Sequence, residues 1–237
     1  MVHNQLTADE QSWVIAREYG ICNGWRLNFA VDSAGDSFGI SGTSVDVSGK
    51  LDRLLLSKLR SMSDVIVTSG KTARSEKYKS SKHAPIAIFT ISGDLESVPA
   101  IDGAQYFTPV VITPFDRLDE VNRSLQDVDV RTFGFESDSP GSMPRSVRDL
   151  LHSEGYQSPI LESGQTTIRK FISEGILSEL CISMSANAGE SLSARSLSNA
   201  ALRQLLGDIS DFKLESLFSD GRTLFTRWVR NGVAASR

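Results

Sequence analysis

The chain has 237 residues, 40% hydrophobic and 23% charged, with a formal net charge of −4 and a pI near 5.5. That length supports one large domain or two small ones with a buried core, while the acidic balance excludes a general nucleic-acid surface and no apolar run nears the roughly 20 residues of a membrane helix. Two cysteines, Cys22 and Cys181, rule out a disulfide framework or a cysteine zinc site, and His3, His83 and His152 are too scattered to form a metal motif.

The N-terminal stretch MVHNQLTADEQSW has neither the basic nor the apolar region of a secretory signal, so the expected location is the cytoplasm. Thr7 followed by Glu10 has capping-box form and predicts a helix through about Tyr19. Trp25 to Val31 alternates apolar and polar residues, as a strand covered on one face does. Asp32 to Gly49 is rich in Ser, Gly and Asp and reads as a long loop, a length that is usually functional or disordered. Leu51, Leu54, Leu55 and Leu59 mark one face of a helix ending near Arg60.

Val65-Ile66-Val67 is a buried strand by composition, with a helix expected from Thr72. Pro85 to Ile91 is a further strand, and Val110 to Ile112 and Val128 to Phe135 are weaker ones. Met143 to Glu154 reads as a helix stopped by Gly155. Ile160-Leu161 is a short strand, Gln165 to Glu174 a helix ended by Gly175, and Leu180 to Met184 the next strand. Phe212 to Phe218 and Thr223 to Val229 flank Ser219-Asp220-Gly221, a hairpin signal. Strands alternating with helices and closed by a hairpin predict a mostly parallel α/β sheet with an antiparallel edge.

Inside the second strand-to-helix stretch sits SGKT, the tail of a phosphate-binding P-loop. A full P-loop needs a glycine five residues before the Gly-Lys pair, and Val65 occupies that position. A β-branched residue there extends a strand, so the P-loop reading fails. What remains is a strand end meeting a helix N-terminus, where free N–H groups and the helix dipole favour anions. Lys71, Arg74, Lys77, Lys79 and Lys82 stand against the single acid Glu76 in this stretch. They form either a solvated surface turn or the rim of a pocket for a phosphorylated molecule.

A second such turn follows Glu162, where Ser163-Gly164 leads into Gln165, Thr166 and Thr167. It is either a ligand-free helix cap or an anion site. The two turns are expected on one edge of the sheet, close enough to hold a dinucleotide between them, although Gly-x-Gly-x-x-Gly is absent. Cys181, among apolar neighbours, reads as a buried structural thiol, His152 as a surface residue, and no Gly-x-Ser-x-Gly elbow supports a serine hydrolase.

These segments resemble the reductase domain of riboflavin biosynthesis, over about Trp25 to Val229. The family's loop after the first strand is met by Ser33-Ala34-Gly35-Asp36 and Gly42-Thr43-Ser44, followed by Asp52 and Leu59-Arg60. Asp64 to Glu76 matches its Asp-Ala-Ile-Leu-Val-Gly-Ala-Gly-Thr-Val-Arg-Ala-Glu without a gap. Glu162 to Ile182 matches the later Glu-Gly-Gly segment, and Leu224 to Trp228 the closing Leu-Phe-x-Arg-Tyr. Where the family has Gly-Ala-Gly and Glu-Gly-Gly, this chain has Ser69-Gly70-Lys71 and Glu162-Ser163-Gly164, so Lys71 and Ser163 would either crowd a pyrophosphate or, for the lysine, pair with it.

The resemblance implies a dihydrofolate reductase-like three-layer fold over residues 25–237, with residues 1–24 as a helical extension, and a homodimer. It implies NADPH as cofactor and reduction of 5-amino-6-(5-phosphoribosylamino)uracil by hydride transfer to C1′ of the ribose. Val31, Asp46, Thr72, Glu76, Gly164, Gln165, Thr166 and Thr167 would hold the cofactor, with the basic run near a 2′-phosphate. Ser44, Arg60 and Glu162 would hold the substrate, Arg60 as a phosphate clamp, and no metal, membrane or nucleic acid is implied. No catalytic side chain is assigned, since such a hydride transfer asks mainly for orientation. Reduction of another substrate such as a pterin, and a non-catalytic nucleotide-binding role, stay open beside this reading.

Overall fold

Runs such as Val65-Ile66-Val67 and Val110-Val111-Ile112 have no polar face to offer water, so they are stable only when covered on both sides. The computed structural model describes residues 6–37, 47–136, 142–187, 192 and 199–233, and it sets these runs inside a nine-stranded sheet. The strands are β1 (Trp25–Asp32), β2 (Val65–Ser69), β3 (Ile86–Phe89), β4 (Val110–Pro114), β5 (Arg131–Phe135), β6 (Pro159–Leu161), β7 (Leu177–Ser185), β8 (Phe212–Ser219) and β9 (Thr223–Arg230). Their order is β5-β4-β3-β2-β6-β1-β7-β9-β8. Neighbours from β5 through β7 pair in parallel, and β9 runs antiparallel to both β7 and β8. This is the mostly parallel sheet with a C-terminal antiparallel hairpin that the sequence predicts. The hairpin turns at Gly221, whose φ of +89° suits a residue without Cβ, while the Asp220 carboxylate accepts from the Arg222 and Thr223 N–H groups.

Helices cover both faces. On one side α1 (Ala8–Tyr19), α2 (Lys50–Ser61), α3 (Gly70–Ser75), α4 (Pro99–Asp102) and α5 (Phe115–Ser124) pack around Ile66, Ile88, Val111 and Phe225. On the other, α6 (Ser142–Ser153), α7 (Gln165–Ser173) and α8 (Asn199–Leu206) pack around Leu27, Phe29, Val67, Leu161 and Trp228. Period-2 alternation along each strand divides the side chains between the two cores. The capping box of α1 forms as expected, with the Thr7 hydroxyl on the Glu10 N–H and the Glu10 carboxylate on the Thr7 N–H. Helices α4, α5 and α8 escape the sequence reading. Helix α5 buries only Val121, so its apolar stripe is too thin to stand out, and α4 is a single turn. His152 is exposed, and burial pushes the thiols of Cys22 and Cys181 up to about 12, as inert structural cysteines require. No described helix is long and apolar enough to cross a membrane.

One expectation is overturned. Strand β1 is not half covered: it lies between β6 and β7 with helices on both faces, and its polar residue Arg26 is 1% exposed. The arginine is tolerated because its Nε and one Nη are paired, while the other Nη has no hydrogen-bond partner among the described residues. Its Nε donates to Glu179 Oε2 at 3.1 Å, one Nη to the same oxygen at 2.8 Å and to the Gly20 carbonyl at 2.7 Å. Arg227 from β9 donates to the other oxygen of Glu179. One buried carboxylate therefore serves two buried guanidiniums, joining α1, β1, β7 and β9.

Removing one partner of such a cluster leaves charge without compensation in a low-dielectric interior. Glu179→Ala is expected to cost about 3–5 kcal/mol of folding free energy. The urea unfolding midpoint measures this, and a midpoint equal to that of the unaltered chain would contradict it.

Candidate functional site

Strand β2 ends at Ser69, whose hydroxyl accepts the Thr72 N–H at 3.2 Å and so caps α3. The helix thus starts at Gly70, two residues before the expected Thr72. Packing favours Gly70: a Cβ there would sit 3.1 Å from Thr90 Cβ and 3.2 Å from Thr90 Oγ1 just beyond β3, so the threonine would have to give way by a few tenths of an ångström. The glycine of SGKT brings a turn close to its neighbour strand and does not curl a phosphate loop.

Strand β6 is paired in parallel with β2, and its ladder continues through a 2.8 Å bond from the Glu162 N–H to the Val67 carbonyl. The turn after β6 therefore lies beside the turn after β2, on one edge of the sheet as the sequence predicts. Thr72 binds the two together. Its Oγ1 accepts the Gly164 N–H at 3.2 Å and the Ser69 hydroxyl at 2.9 Å, and stands 3.4 Å from Ser163 Oγ. Helix α7 begins after Gly164, which offers no side-chain cap, and the N–H groups of Gln165 and Thr166 donate to no described residue. An N-terminus left open in this way is a ready anion acceptor.

A cleft of about 670 Å³ opens between the two turns, lined by Ser69 to Ser75 apart from Ala73, by Phe89 to Ser92, Arg117 and Met143, and by Gly164 to Thr167 with Lys170. Of the five basic residues between 71 and 82, only Lys71 and Arg74 line it. Arg74 is paired with Asp94 at 3.3 Å and Arg117 with Glu120 at 3.2 Å, whereas Lys71 and Lys170 have no ion-pair partner among the described residues. Arg117 and Lys170 come from α5 and α7, and no local charge pattern marked them. Ser163 is buried at 7% exposure and lines a different cavity, so its hydroxyl stays out of this cleft.

That second cavity, of about 90 Å³, shares Ser37, Thr72 and Gly164 with the cleft. Its walls include Asn28 and Ala30 from β1, Ser48, Asp52 and Leu56 around α2, then Glu76, Tyr78 and Glu162. Glu162 is 5% exposed and held from three directions: Arg60 Nε to Oε1 at 2.8 Å, an Arg60 Nη to Oε2 at 2.6 Å, and the Tyr78 hydroxyl to Oε2 at 2.6 Å. Burial works against the Arg60 charge, yet the Glu162 carboxylate holds the guanidinium's pKa above its ordinary value. Burial, then the same carboxylate, raises the Tyr78 phenol well above its usual range, keeping it a donor.

The residues expected at the site are placed as follows. Thr72 and Gly164 line both compartments, Gln165, Thr166 and Thr167 the cleft, and Glu76 and Glu162 the cavity. Gln165 also spends its side-chain amide on the Leu205 carbonyl of α8. Arg60 is joined to Glu162 and lines neither compartment, and its cation–π neighbour Tyr78, 5.5 Å away, went unmarked in the sequence. Val31 is fully buried in the core on the α7 face and lines neither compartment, while its β1 neighbours Asn28, Phe29 and Ala30 line the cavity. Ser44 and Asp46 lie outside the described residues.

No protein-family model matches the sequence, and no curated protein matches it. Solved structures do. A pyrimidine reductase-like protein from Corynebacterium diphtheriae superposes with TM-score 0.64, over 95% of this chain and 99% of its own, at 21% identity. RibD from Acinetobacter baumannii gives TM-score 0.65 over 93% of this chain, at 19% identity, and the match spans 61% of its own length. The riboflavin biosynthesis reductase of Saccharomyces cerevisiae gives 0.62 over 87% of this chain and 89% of its own, at 13% identity. The chain therefore has the fold of the riboflavin-biosynthesis reductases.

Two substitutions test the wiring. Thr72→Val keeps shape but leaves the Gly164 N–H unmet, at an expected cost of about 1–3 kcal/mol in thermal or urea unfolding, and Thr72→Ser restores most of it. Arg60→Ala strips a buried carboxylate of its counter-charge. Because the arginine side chain is 23% exposed, water recovers part of the loss, and about 2–3 kcal/mol is expected. An unchanged melting temperature for Arg60→Ala would show that Glu162 does not depend on it.

Proposed function

We propose that this chain is a nicotinamide-dependent reductase whose cofactor lies in the cleft and whose substrate ring lies in the adjoining cavity. The observation that carries the reading is the junction itself: a cleft of about 670 Å³ with open helix N–H groups meets a polar cavity at Thr72 and Gly164. The fold shared with riboflavin-biosynthesis reductases supports it. The residues present suit such a cofactor. Gln165 and Thr166 N–H groups would take a pyrophosphate oxygen at the α7 N-terminus. Lys71 and Lys170 supply uncompensated positive charge at the cleft wall, which a further phosphate on the ribose would use. NADPH is the cofactor of this reading.

The bound dihydronicotinamide would supply a hydride. The protein's own part is positional. Thr72 holds the two turns at a fixed distance, so that whatever binds each compartment meets at their shared wall. Tyr78 and Arg60 hold Glu162 in one orientation, leaving it no freedom to swing into the substrate space. The substrate of this reading is a phosphoribosylamino-pyrimidine such as 5-amino-6-(5-phosphoribosylamino)uracil, reduced at C1′ of its opened sugar. A second substrate, a pterin-like ring without phosphate, is favoured by one observation: no cationic side chain is among the described residues lining the cavity.

Titration of the purified chain with NADPH and NADH tests the cofactor. NADPH is expected to bind at least about tenfold more tightly, since each charge-assisted contact to a 2′-phosphate contributes roughly 1.5–3 kcal/mol. Lys71→Ala or Lys170→Ala should narrow that gap. Equal affinities would remove the assignment of these lysines, and no binding of either at millimolar concentration would remove the reductase reading. Steady-state rates with the phosphoribosylamino-pyrimidine and with dihydropterins then separate the two substrates.

A further inference from the structure

Ser163 brings a hydroxyl to a place where the resembling family has a glycine, and the local fold makes little use of it. It precedes Gly164, the N-cap of α7, and makes no capping bond to that helix. The residue is nonetheless 7% exposed and lines the cavity. A hydroxyl so placed is costly unless its bonds are made, so donors and acceptors around it can be counted.

Thr72 decides the count. Its Oγ1 accepts the Gly164 N–H at 3.2 Å and the Ser69 hydroxyl at 2.9 Å, which occupies both lone pairs. Its one hydrogen is left to donate, and Ser163 Oγ is the oxygen it meets, 3.4 Å away. Ser69 is locked in turn, because its oxygen accepts the Thr72 N–H. Donation therefore runs from Ser69 to Thr72 to Ser163. The Ser163 hydrogen meets no other described residue and is left for the cavity.

A serine kept only for its size would be served by alanine, and a 3.4 Å bond is too long to offset burial of the hydroxyl. The cavity wall already carries the acceptors Asp52, Glu76 and Glu162. A donor among them selects the complementary feature in a ligand, an acceptor atom. Ser163 adjoins Gly164 and bonds Thr72, so that acceptor lies at the wall the two compartments share.

We propose that the Ser163 hydroxyl donates to the substrate nitrogen bonded to the carbon that is reduced, the nitrogen of a C=N bond. The assignment rests on the reductase reading for the reaction and fits both of its substrates. Opening the sugar of a phosphoribosylamino-pyrimidine leaves an imine nitrogen on C1′, and a dihydropterin carries a ring C=N. Ser163 thereby sets which face of the ring system meets the shared wall.

Calorimetric titration of the full chain, without cofactor, uses lumazine, a uracil ring fused to a second ring with two acceptor nitrogens, N5 and N8. Its 5-deaza and 8-deaza analogues carry C–H in place of one or the other. N8 hangs from the uracil carbon that bears the sugar nitrogen in the pyrimidine substrate, and N5 is the nitrogen of the C=N bond in a 7,8-dihydropterin. The unaltered chain should bind lumazine, and one of the deaza analogues at least about tenfold more weakly. In Ser163→Ala and Ser163→Gly the difference should shrink to about threefold or less, as a double-mutant cycle requires for a direct contact. Dependence on N8 assigns the pyrimidine, and dependence on N5 the pterin. Equal binding of all three compounds, a difference that survives in Ser163→Ala, or no binding of lumazine would each overturn the proposal. The comparison on the unaltered chain does not depend on how the variants fold. Selective ring binding without any NADPH binding would overturn the reductase reading while leaving Ser163 as the ring's donor.

Discussion

Because β6 inserts between β2 and β1, the turns that leave Ser69 and Leu161 come to lie within one hydrogen bond of each other. Parallel pairing puts both on the same edge, where the carboxyl ends of strands and the N-termini of the following helices converge. The Thr72 hydroxyl closes the gap by accepting from Gly164 and from Ser69. Everything proposed for the site depends on this contact. It fixes the width of the cleft on one side and the wall of the cavity on the other, with Thr72 and Gly164 lining both.

Charge is sorted across that wall. Lys71, Arg74, Arg117 and Lys170 face the cleft, while Asp52, Glu76 and Glu162 face the cavity. A chain of net charge −4 thus presents positive charge to the cleft and negative charge to the cavity. Such complementarity contributes orientation as well as affinity, since a ligand carrying both features has one electrostatically acceptable pose. Two glutamates, Glu179 and Glu162, are each pinned by buried or half-buried arginines on the α1–α2 side of the sheet. The first joins structural elements far from the cleft, and the second borders the cavity. The same ion-pair chemistry serves the fold in one place and the shape of a site in the other. Burial makes both strongly dependent on intact partners.

The resemblance to riboflavin-biosynthesis reductases anticipated the fold, and several residues it marked line the cleft, whereas Arg60 lines neither compartment. Motif and spacing offered an arginine at the end of an apolar helix, free to reach a phosphate. In the folded chain its guanidinium is committed to Glu162 and lies behind the cavity wall. Val31 shows the same limit on a smaller scale. Strand alternation turns its side chain into the core on the α7 face, and the β1 residues that line the cavity are Asn28, Phe29 and Ala30.

What the sequence determined by itself is what local physics encodes. The β-branched runs specified buried strands, Thr7 and Glu10 a helix start, Gly155 and Gly175 helix ends, and Asp220-Gly221 the closing hairpin. Each depends on residues within a turn or two of one another. The tertiary structure decided which strand lies beside which, and with it the partners of Arg26, Arg60, Thr72 and Asp52. Those interactions join residues far apart in the chain, such as Arg26 and Glu179 or Thr72 and Gly164. No periodicity reports strand order, so a buried arginine reads in sequence as a solvated face.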